Sequence, residues 1–147
     1  MKKLLQLTAL TAFMLSTVFV SKSHAVDSTQ NVVSITVPYQ LTNLDPRITK
    51  FKVRCRIRAG MRSPTWGQGE KIIDITPPNA NGRMVVNVRK TGNTALDSNM
   101  AYTCFPEVAM DPNDQYGFQE METGSAYDFA KTPRGGDRRV SGRLQDQ

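Results

Sequence analysis

The chain has 147 residues, with 19 lysines and arginines against 13 carboxylates, one histidine and a formal net charge of +6. That length suits one domain and is short for two. The lone His24 sits in a leader-like N-terminal stretch, so residues 26–147 hold no histidine; Ser-His-Asp and Cys-His catalysis and histidine-based metal sites are excluded there.

Lys2 and Lys3 precede a mostly apolar stretch from Leu4 to Val20. Ser23-His24-Ala25 then offers small residues at the minus-three and minus-one positions of a signal-peptidase site. The expectation is an exported chain cleaved after Ala25, periplasmic or secreted. The alternative is a signal anchor, for which the stretch is short and broken by Thr8, Thr11, Ser16 and Thr17. No later run is apolar enough to span a bilayer, so no transmembrane span is expected after cleavage. Without Lys2, Lys3 and Lys22, residues 26–147 carry 16 cations against 13 carboxylates, a net of +3. Lys131, Arg134, Arg138, Arg139 and Arg143 against Asp137 and Asp146 place all of that excess in residues 131–147. Residues 26–130 are therefore neutral overall and read as the single folded domain.

Strand patterns follow in chain order, with no helical period competing. Val32 to Val37 is rich in β-branched residues and meets Pro38. After turn residues Asn43 to Pro46, apolar and basic residues alternate from about Ile48 to Ala59. Gly60 to Gly69, with Pro64, Trp66 and Gly67, reads as a loop. Lys71 to Thr76 reads as a strand stopped by Pro77-Pro78. Asn81-Gly82 reads as a tight turn before a strand over Arg83 to Arg89. Met100 to Met110 alternates again, Asp111-Pro112-Asn113-Asp114 suits a type I turn, and a last strand is expected from about Tyr116 to Thr123. Asp111, Asn113 and Asp114 also suggest calcium, but a calcium loop's glycine and glutamate are missing at their positions. At least six strands without a helix point to an all-β sandwich or barrel. Residues 131–147 are polar, with only Val140 and Leu144 as sizeable apolar groups, and are expected to form a disordered basic tail.

The alternating run is the most informative feature. In a strand it puts Lys50, Lys52, Arg54, Arg56 and Arg58 on one face, and Phe51, Val53, Cys55 and Ile57 on the other. The basic face suits an anionic partner: a protein, or an anionic polymer or surface of the cell envelope. It also suits a merely solvated face. Neighbouring like charges about 6.6 Å apart cost only about 0.6 kcal/mol per pair in water. No specific nucleic-acid motif is present. The basic tail poses the same choice between an electrostatic role and an inert end.

Cys55 and Cys104 are the only cysteines. In an exported chain of this size they read as one disulfide, with two free buried thiols as the other reading. Tyr102 stands two residues before Cys104, and Leu96 six before Tyr102. This spacing resembles the immunoglobulin-like and fibronectin type III-like sandwiches, with a disulfide between the B and F strands and a tyrosine corner. The resemblance covers residues 31–130 and implies an antiparallel sandwich with an inter-sheet Cys55–Cys104 disulfide. It also implies a Tyr102 phenol bonded to backbone beside Leu96. Trp66 lies about where an immunoglobulin core tryptophan falls, yet its Pro64 and Gly67 neighbours also suit a loop aromatic.

Glu107 with Asp111, or Glu120 with Glu122, are the carboxylate pairs available for glycoside chemistry, but nothing around them suggests a cleft. The expectation is a non-enzymatic binding module with no cofactor and no metal, docking through the basic face and tail. The alternatives are a structural subunit pairing through strand edges, and a secreted inhibitor using the 60–69 loop with Trp66 as anchor.

Overall fold

A computed structural model describes residues 28–60, 63–111, 113, 115–121, 127–130 and 139–144. Residues 1–27, where a cleaved leader is expected, and residues 131–138 lie outside them. Seven strands form one antiparallel sheet: β1 (Val32–Leu41), β2 (Lys50–Arg58), β3 (Thr65–Asp74), β4 (Ala80–Lys90), β5 (Ala101–Ala109), β6 (Gln119–Glu120) and β7 (Val140–Arg143). Their order is β1-β4-β3-β2-β5, with β6 and β7 both on the far edge of β5. The chain is all-β, apart from a short 3-10 turn at Asp128–Ala130 among the described residues. No helix among them is long and apolar enough to cross a membrane.

The sheet curls into a half-barrel, and β3 and β4 share only two register pairs, Gly67 with Lys90 and Gln68 with Arg89. There the backbone of β4 lies so close to β3 that a Cβ on Gly67 or Gly69 would collide with the carbonyls of Arg89 and Asn87. Glycine is required by close approach, not by a turn. This reverses the expected 60–69 loop: β3 starts at Thr65, and Gly67 and Gly69 belong to the strand. The Asn81-Gly82 turn is likewise overturned. Both residues lie inside β4, paired with Gln40 and Tyr39, and the Tyr39 ring covers the Gly82 position.

Curling brings two apolar faces together. Ile35, Val37, Met84, Val86 and Val88 from β1 and β4 join one core with Phe51, Val53, Cys55, Ile57, Tyr102, Cys104 and Val108 from β2 and β5. Trp66 belongs to this core at 1 % exposure, so it cannot serve as an exposed loop anchor. A register shift between Ile57 and Arg58 explains its direction. Strict alternation would turn the residue before Gly67 outward, and the bulge turns it inward.

Cys55 and Cys104 form a disulfide, but not between sheets. They are register partners on adjacent strands, with Cα atoms 4.0 Å apart, so the expected inter-sheet bridge is corrected to a cross-strand one. Period-2 alternation turns both cysteines inward in either arrangement, and spacing in sequence does not tell them apart. The bridge suits an oxidising compartment.

The disordered-tail expectation fails for residues 140–143. They form β7 against Ala101–Cys104, and Leu144 beyond them is buried. Val140, Gly142 and Leu144 face inward, and Gly142 receives the Tyr102 ring: a Cβ there would stand 2.8 Å from the Tyr102 hydroxyl oxygen. Leu96 and Tyr102 are both buried, and the tyrosine is placed as the cover of a cross-strand glycine.

Candidate anion-binding face

The outer face of β2 carries the expected basic stripe, and register fixes each cation's neighbours. Lys50 stands beside Asp74 and Ala109, Lys52 beside Ile72 and Glu107, and Arg54 beside Glu70 and Phe105. Arg56 stands beside Gln68 and Thr103, and Arg58 beside Thr65 and Ala101. β7 extends the last two rows with Ser141 next to Thr103 and Arg143 next to Ala101. Acidic neighbours therefore flank the first three cations and neither of the last two.

Contacts follow the register. Lys50 pairs with Asp74. Lys52 Nζ is 2.5 Å from Glu107 Oε2, and Arg54 Nη2 is 2.9 Å from Glu107 Oε1. Glu107 is 3 % exposed, so this triad is largely withdrawn from water. A carboxylate so buried is tolerable only with its cations in place. Arg54 also reaches Glu120 Oε1 at 3.3 Å, and Lys52 sits 4.3 Å from the Phe118 ring centre. This half of the stripe is internally neutralised and pinned.

At the other end, no carboxylate of a described residue pairs with Arg56 or Arg58; the Arg58 Nε, like the Arg54 Nε, is buried without a hydrogen-bond partner. Arg139, 3.5 Å from Glu120 through its Nη2, joins them across β5. Arg139, Arg56 and Arg54 approach the Phe105 ring centre at 5.1, 5.6 and 6.0 Å, within cation–π reach. Packing against one ring holds these guanidiniums in place despite their like charge. A depression of about 420 Å³ opens here, lined by Arg56, Arg58, Arg139, Phe105, Thr103 and Ala101. Chemically it offers several fixed donors to an oxyanion and no general base.

The five stripe residues thus share a face but not a state. Trp66 lies in the core and takes no part. Cys55, Cys104, Leu96 and Tyr102 form the inward layer under the stripe. Sequence reasoning missed Glu107 as the buried hub and Arg139 as a member of the face. The signal for Arg139 was present: Arg139 to Leu144 alternates polar and inward residues as β2 does. No family model matches the chain, and no curated protein or solved structure matches it.

Proposed function

We propose that the chain is an exported, non-enzymatic β-sheet module that docks an anionic partner of the cell envelope through the Arg56–Arg58 end of its basic face. The observation carrying this reading is the absence of any paired carboxylate at Arg56 and Arg58 among the described residues, while Lys50, Lys52 and Arg54 each have one. A face meant only for solubility gains nothing from leaving two adjacent guanidiniums without carboxylates beside a depression. Export rests on the leader pattern and on the disulfide. From the immunoglobulin-like resemblance the reading keeps a core built of two facing strand layers, and not the strand order.

Assembly through strand edges is the less favoured reading. The free edge of β1 carries Pro38, which has no N–H to offer a partner strand, and the outer edge of β5 is covered by β6 and β7. An immobilised heparin column with a salt gradient tests the preferred reading. Arg56→Ser with Arg58→Ser is expected to elute at clearly lower salt than the unaltered protein, and Lys50→Ser close to it. Co-elution of all three would reject the reading.

A further inference from the structure

We infer that the ligand of this face is an acidic polysaccharide, bearing uronate or sulfate groups, rather than a protein, a nucleic acid or a membrane; the inference rests on the docking reading above. Gln68 and Thr103 flank Arg56, and Ser141 follows Thr103 on β7. This row crosses β3, β2, β5 and β7, about 14 Å at ordinary strand spacing. Its amide and two hydroxyls have no side-chain partner among the described residues. The next row holds Thr65, Arg58, Ala101 and Arg143. Guanidiniums thus stand beside neutral side chains that both donate and accept, Gln68, Thr103, Ser141 and Thr65, with Ala101 the apolar member of the second row. An acidic glycan presents that same mixture, anionic groups spaced by hydroxyls.

The other anionic macromolecules fit less well. Single-stranded nucleic acid is held by successive open aromatic faces. Among the described residues, Phe105 is the only aromatic one lining the depression, and it is already approached by three guanidiniums. A lipid surface favours exposed apolar groups beside the cations. The large exposed ones among the described residues, Val32, Val85, Tyr116 and Ile72, lie elsewhere, with Ile72 beside Lys52 in the neutralised half. An acidic peptide has the charge, but its side chains bring carboxylates without the hydroxyls that a glycan places between its anionic groups.

Titration calorimetry of the purified protein against polygalacturonate, heparin, neutral dextran, poly-L-glutamate, single-stranded DNA and phosphatidylglycerol vesicles tests this. Expected is binding to polygalacturonate or heparin, with poly-L-glutamate about tenfold weaker and dextran silent. Thr103→Val with Ser141→Ala should weaken glycan binding about fivefold and leave the poly-L-glutamate affinity unchanged. Both substitutions are small, and unchanged Trp66 emission verifies folding. Poly-L-glutamate binding as tightly as the glycans, or DNA or vesicles binding more tightly, overturns the glycan inference and leaves docking intact. Silence from every polyanion overturns docking and the glycan inference together.

Discussion

The two ends of β2 carry the same kind of residue on the same face, yet one end is internally paired and the other is not. At Lys50–Arg54 the neighbouring strands supply Asp74, Glu107 and Glu120. At Arg56–Arg58 they supply Gln68, Thr103, Thr65 and Ala101. A charge run in sequence therefore does not report a charged surface. What a cation can do is decided by the strand beside it.

The largest expected effect falls on the layer the two ends share. Cys55→Ala with Cys104→Ala removes the bridge beneath the stripe, which closes a span of 49 residues. Chain entropy sets the cost at about 4 kcal/mol, measured by urea unfolding. Glu107→Gln should come next and would break the comparison itself. It leaves Lys52 and Arg54 without their buried counter-charge, costs about 3 kcal/mol of stability, and raises the salt needed to elute the protein from heparin. Arg56→Ser with Arg58→Ser should do the reverse, lowering retention while changing stability by no more than about 1 kcal/mol. A smaller effect belongs to the connection between β1 and β2. Arg47 hydrogen-bonds the Asp45 carboxylate and lowers its pKa from 3.8 to about 2. A pKa depressed on folding contributes stability above about pH 4, and that contribution is lost as pH falls toward 2. Asp45→Asn should flatten the acid unfolding curve in that window only, and its neutral-pH retention on heparin should stay unchanged.

Much of the fold was legible because its signals are local. β2 and β5 alternate, and two cysteines in a chain read as exported predict a disulfide. What the sequence hid was non-local. Gly67, Gly69 and Gly82 read as turn residues because the strand or ring that presses on each comes from elsewhere in the chain. Trp66 needed a bulge to turn inward, and no residue type announces one. β7 was lost in the polar composition around it, although Val140, Gly142 and Leu144 kept the period. On the candidate face, the five cations were readable and their division was not. Glu107 lies 55 positions after Lys52 in the chain, and only the β2–β5 register brings them together.

The division of the stripe is tested most directly by following the arginine Nε–H and lysine Nζ resonances of the labelled protein by NMR during titration with a heparin oligosaccharide. The account expects Arg56, Arg58 and Arg139 to shift early and saturate together, with Lys52 and Arg54 little moved. Equal shifts along all five stripe residues, or shifts confined to Lys50, Lys52 and Arg54, would contradict it.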